Sequence, residues 1–139
     1  MAERLQLDVI TPERRLLSEA VEAVTVPGAN GELGILPGHT PLISQLQTGV
    51  LSYTQGATVR RLLVSGGFVE VNADRVSVLA DLAEYPEEVD AARARTERDD
   101  AERRLGAFTG TPEELTPLRT QLDRANARLQ LAAAAEGSR

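Results

Sequence analysis

From Leu5 to about Tyr85, apolar and polar residues alternate in short runs separated by Gly, Pro, Asn and Asp. Leu5, Leu7 and Val9 bracket Gln6 and Asp8. Val21, Ala23, Val24 and Val26 read as a second strand that ends at Pro27-Gly28. Val59–Val64 forms another run, halted by Ser65-Gly66-Gly67. Phe68, Val69 and Val71 follow, then a turn at Asn72-Ala73-Asp74 and a last run over 75–80. A period of two with frequent turns predicts an all-β unit, a small antiparallel sandwich or barrel. After Pro86 the period lengthens. Asp90 to Leu105 has no Gly, Pro or aromatic residue and predicts a helix, opened by Pro86, Glu87 and Glu88 and closed by Arg103-Arg104 before Gly106. The chain therefore divides into a β unit over 1–85 and a helical hairpin over 86–139, an α+β arrangement.

The second helix can start in two places. Thr111-Pro112-Glu113-Glu114 fits a capping box, whereas Pro117 inside a helix would cost it a backbone hydrogen bond. The proline penalty favours a main helix starting near Pro117. Leu115, Leu118, Leu122, Ala125, Leu129 and Ala132 then step by three and four along one seam, facing a thinner stripe of Ala91, Ala94, Ala101 and Leu105. Residues 136–139 read as a frayed tail. Since each buried methylene is worth roughly 0.8 kcal/mol, an alanine stripe contributes little beside a leucine seam. A hairpin held so asymmetrically depends on the β unit, a ligand or a partner. It suits either a plain structural appendage or a conformational switch.

Composition removes several classes of function. Cysteine is absent and there is one His, so no disulfide framework, thiolate metal site or multi-histidine site can form. A net charge of −6 and only four aromatic residues oppose a nucleic-acid surface. No run reaches the length of a membrane-spanning helix, and residues 1–7 carry no apolar leader, so any link to a membrane is expected through a partner. All 15 basic residues are Arg, from compositional bias or from a need for bidentate anion contacts.

Residues 27–42, PGANGELGILPGHTPL, give a turn, a short apolar strand and a second Pro-Gly corner that holds His39. In isolation this is a hairpin with a structural histidine. However, GELGILPGH, followed by SGGFVEV (65–71) and VSVLAD (76–81), is strongly similar to the epsilon subunit of bacterial and chloroplast F-type ATP synthases. The likeness runs from Leu7 to about Leu131. It implies a flattened sandwich of about ten strands followed by an antiparallel two-helix hairpin, in a non-catalytic subunit of the central stalk. Its partners would be the gamma subunit, the ring of c subunits and the alpha/beta catalytic head, at the cytoplasmic face of the bacterial membrane. By the same match Glu32 would lie near the ring and His39 near gamma.

The resemblance further implies that the hairpin either folds on the sandwich or extends to inhibit ATP hydrolysis, and that in some members ATP holds the folded form. Val89-Asp90-Ala91-Ala92-Arg93-Ala94 resembles the nucleotide signature of those members. Arg124 and Arg128 resemble the arginine pair of the second helix, and Glu84 a nearby acidic residue. ATP is thus expected as a regulatory ligand of Glu84, Asp90, Arg93, Arg124 and Arg128; no cofactor is required, and no catalytic or metal-binding residue is expected. Asp100 stands where those members carry a further arginine, which weakens the expectation. Residues 87–139 hold nine Arg and eleven acidic residues, so the hairpin presents no uniform basic field to an acidic partner. The competing reading is a stand-alone adaptor that binds another complex through the sandwich and hairpin.

Overall fold

A computed structural model describes residues 3–137. Eight strands precede two helices: β1 (Leu5–Ile10), β2 (Arg15–Val21), β3 (Ala23–Gly28), β4 (Gly31–Ile35), β5 (Leu42–Gln45), β6 (Gly49–Gln55), β7 (Thr58–Asn72), β8 (Arg75–Glu84), α1 (Ala91–Gly106) and α2 (Pro112–Gly137). A single 3-10 turn, Pro86–Glu88, joins the two parts. The strands run in the order β2-β1-β8-β7-β6-β3-β4, with β5 added to β7. Neighbours are antiparallel except β1 and β8, which pair in parallel. The inward faces of the folded sheet enclose one aliphatic core that includes Leu7, Val9, Val24, Val26, Ile35, Leu51, Leu62, Val64, Val69, Val71, Val76 and Val78.

Eight strands take the place of the ten implied by resemblance, and two boundaries differ from those the alternation predicts. The expected strand over 21–26 is split at Glu22 into β2 and β3. Most of β2 escapes the alternation rule, since Ser18, Glu19 and Ala20 are all exposed. In the other direction, β7 passes straight through Ser65-Gly66-Gly67. Both glycines adopt positive φ, 70° and 91°. A Cβ on Gly67 would stand 1.9 Å from the Leu79 carbonyl oxygen, so glycine is required at this close approach.

The two glycines shift the phase of the strand. Before them Leu62 and Val64 face the core; after them Val69 and Val71 do. On β8 the inward set changes in step, from Ala83 to Ala80, Val78 and Val76, while the pairing register is unbroken. The outer face is thus divided at this level. Leu63 and Ser65 lie above it, under the helices. Phe68 and Leu79, paired across β7 and β8, lie below it and are 50% and 49% exposed.

The second helix begins at Pro112, five residues before the expected start. Thr111 and Glu114 form the capping contacts, with the Glu114 N–H 3.4 Å from Thr111 Oγ1 and the Thr111 hydroxyl 3.1 Å from Glu114 Oε1. Pro117 is accommodated inside α2. It lacks the N–H that would reach the carbonyl of Glu113, a single missing bond in a 26-residue helix. The leucine seam of α2 does turn toward α1, where Ala94 and Ala101 are buried with Ala125. A second face of α2 packs on β6 and β7 through Ala127 and Leu131, which bury Leu63.

Candidate functional site

The junction of sheet, linker and hairpin gathers the charged groups. Glu84 is the last residue of β8 and is fixed by its pairing with Leu63. The 3-10 turn that follows is closed on itself: Glu88 accepts from the Tyr85 N–H at 2.9 Å, and the Val89 N–H donates to the Pro86 carbonyl at 3.1 Å. Arg14 reaches from the β1–β2 connection to bind both oxygens of Glu88, at 2.7 and 2.8 Å. Arg14, with help from the Tyr85 N–H, holds the Glu88 carboxyl below the usual glutamate range. Asp90 then caps α1, accepting the Arg93 N–H at 3.0 Å.

These elements enclose a cavity of about 260 Å³ lined by Glu84, Glu88, Val89, Asp90, Arg93, Glu97 and Arg128. Arg128 spans it from α2. Its Nε and Nη2 donate to the two oxygens of Glu84 at 2.8 and 2.9 Å, and Nη1 lies 3.9 Å from Glu97. Both side chains of the Glu84–Arg128 pair are about four-fifths buried, 20% and 19% exposed. The pairing with Glu84 raises the affinity of Arg128 for its proton. Arg93, in contrast, is 78% exposed and pairs with Glu97 at 3.1 Å, one turn along α1.

Four of the five residues assigned to nucleotide by resemblance, Glu84, Asp90, Arg93 and Arg128, therefore meet around one cavity. Arg124 does not line it. Its guanidinium donates to Ser65 Oγ at 2.9 Å, and Ser65 in turn bonds Thr48 at 2.7 Å. Arg124 thus pins α2 to the sheet one turn from Arg128, and the two guanidiniums serve different partners. Asp100 is also outside the cavity, engaged by Arg103, Arg104 and the Gln121 amide. The acidic groups that line the cavity unforeseen are Glu88 and Glu97. Glu97 lies four residues after Arg93, a helix-pair spacing that carries the signal. Glu88 meets its partner Arg14 only through the fold.

The two residues assigned to partner contacts lie apart from this cavity. Glu32 is exposed on β4, opposite Pro27. His39 is half-buried in the corner after β4, where its ring Nδ1 meets the Thr40 carbonyl at 2.6 Å and its backbone N–H donates to the Leu36 carbonyl at 3.1 Å. The neighbouring Gly38 N–H donates to Asp74 at 3.0 Å and ties that corner to the β7–β8 turn.

Residues 4–86 match the family model described as ATP synthase, Delta/Epsilon chain, beta-sandwich domain. The chain is 46% identical to the ATP synthase epsilon chain of Syntrophobacter fumaroxidans over 132 residues, covering 95% of this chain and 98% of the relative. It is likewise 46% identical to that of Magnetococcus marinus, over 99% and 98% of the two chains. Among solved structures, a chain of the Euglena gracilis mitochondrial ATP synthase (OSCP/F1/c-ring, rotational state 1) superposes with a TM-score of 0.80 at 24% identity, covering 94% of this chain and 81% of that one. A chain of the Tetrahymena thermophila central stalk and c-ring gives 0.68 at 15% identity, over 94% and 97%. At these identities the two structures attest the shared fold.

Proposed function

The chain belongs to the ATP synthase delta/epsilon family, and we propose that it works as the epsilon subunit of the central stalk, coupling rotor to catalytic head and restraining ATP hydrolysis through its hairpin. Membership favours the stalk subunit over the stand-alone adaptor, and makes the chain a non-catalytic part of the complex. Its partners in this reading are gamma, the c-ring and the alpha/beta head. Among the described residues no helix is long and apolar enough to cross a membrane. The proposed location is peripheral, at the cytoplasmic face of the bacterial membrane through the complex.

The observation that carries the regulatory part is the unequal anchoring of the two units. Among the described residues, the sandwich encloses nineteen buried apolar residues, whereas the cluster between hairpin and sheet buries three, Leu63, Ala127 and Leu131. A unit docked by so small a contact can leave while its base stays folded. The cavity at Glu84, Asp90, Arg93 and Arg128 supports ATP as a ligand of the docked form. Its acidic lining, four carboxylates to two guanidiniums, argues for weak binding.

Reconstitution tests this reading. ATP synthase stripped of its epsilon subunit should rebind both the full chain and a fragment of residues 1–85, and only the full chain should lower ATP hydrolysis. Failure of the fragment to bind, or equal inhibition by both, overturns it. Calorimetric titration of the full chain with millimolar ATP checks the ligand, and absence of heat removes it.

A further inference from the structure

We propose that Glu84 is a built-in counter-ion that takes the place of a ligand: it clasps Arg128 to close the hairpin on the sheet without nucleotide, and competes with any polyanion for the same guanidinium. The proposal rests on the reading that the hairpin can leave the sheet.

The geometry makes the clasp rigid on one side and detachable on the other. Glu84 is fixed in the backbone of β8 by the Leu63 pairing, beneath the small apolar cluster that seats α2. Arg128 belongs to the unit that would move. Their contact is a parallel two-bond fork at 2.8 and 2.9 Å, the strongest form of carboxylate–guanidinium contact. Both ends are mostly buried, so removing one while the hairpin stays docked leaves the other an uncompensated buried charge. The fork also occupies the face of the guanidinium through which a phosphate would bind it in two-point fashion. The outer Nη1 already faces Glu97. A triphosphate that binds this edge of Arg128 in two-point fashion must therefore displace Glu84 and leave its carboxylate beside the new anion. A ligand moves an equilibrium only by its differential affinity for the two states. In this chain an internal group has already drawn the docked state down, which narrows the range over which nucleotide can act.

The inference reverses the sign of one expectation. If Glu84 served only to contact nucleotide, removing its charge would weaken ATP binding. As a competitor, its neutralisation frees Arg128. The test uses the full chain with thermolysin, which cuts at the apolar residues of α2 once the hairpin is released, and ATP titration alongside. Glu84→Gln and Arg128→Gln should each speed cleavage within α2 about tenfold or more without nucleotide. The double variant should be cut no faster than the faster single one, because both remove the same contact. Glu84→Gln should bind ATP about tenfold more tightly than the unaltered chain, and Arg128→Gln should not. Cleavage of Glu84→Gln at the unaltered rate, or singles whose effects multiply in the double variant, overturns the clasp. Weaker ATP binding by Glu84→Gln overturns the competition. If neither the unaltered chain nor Glu84→Gln binds ATP, the nucleotide ligand falls. The clasp then stands on the non-multiplying cleavage rates alone.

Discussion

Leu131→Ala should release the hairpin and leave the sandwich folded. Leu131 is fully buried between α2 and the sheet, against Leu63, Ala127, Val50, Leu82 and Val89. None of these belongs to the main core. Truncation removes three carbons, about 2.4 kcal/mol of transfer free energy at roughly 0.8 kcal/mol each, and the residual cavity brings the usual range to about 2–5 kcal/mol. A loss of about 3 kcal/mol raises the open fraction of the hairpin roughly a hundredfold. Amide hydrogen exchange read residue by residue separates this from global unfolding. Amides of α2 and α1 should exchange about a hundred times faster, while those of β1 and β8, such as Leu7 and Val78, keep their protection. Leu62→Ala, in the main core, should instead speed exchange everywhere. Parallel acceleration of β8 and α2 in Leu131→Ala would mean that hairpin and sandwich open as one unit, and the two-unit account would be wrong.

Three further outcomes follow from the same geometry. Gly67→Ala should destabilise the sandwich by about 3 kcal/mol or more in a denaturant melt, since it combines backbone strain with a clash against the Leu79 carbonyl. Pro117→Ala restores a helical N–H and should stabilise α2 by about 1–3 kcal/mol, seen as slower exchange over residues 113–121. The Glu88 carboxyl titrates lower in the folded chain than in the unfolded one. Its contribution is therefore present above the unfolded value near 4.5 and is lost as pH falls through the folded value. Thermal melts from pH 6 to 3 should show a shallower acid loss for Glu88→Gln than for the unaltered chain, and an identical slope would dismiss the pair with Arg14.

What the sequence made legible was decided by how local each cause is. Alternation at Leu5, Leu7 and Val9 or at Val76 and Val78 reports burial on one face, and those strands lie where the pattern puts them. The phase change at Gly66-Gly67 breaks the rule from within, so a strand of 15 residues reads as two. At Pro117 two local rules conflict, and the Thr111–Glu114 cap prevails because a helix of this length absorbs one missing bond. The leucine seam of α2 showed its contact with α1. The contact of Ala127 and Leu131 with the sheet was hidden, because a pair of apolar residues four apart carries no sign of what lies beneath it. In the cavity, resemblance brought forward Glu84, Asp90, Arg93 and Arg128. It could not show that Arg128 is already engaged by Glu84, since that fork joins residues 44 positions apart.

The parallel pairing of β1 with β8 also sets an order of events during synthesis. Gln6 meets Arg75 and Ile10 meets Leu79, so the first strand to leave the ribosome finds its inner neighbour only after almost the whole sheet has been made. Contacts so distant in sequence slow folding. Until β8 arrives, the β1–β2 hairpin presents an unpaired edge that includes Leu7 and Val9, open to pairing with another nascent chain. The helices are translated after the strands, onto a sheet by then complete. A message cut short before codon 75 should therefore yield an aggregating product, whereas one cut after codon 85 should yield a soluble sheet.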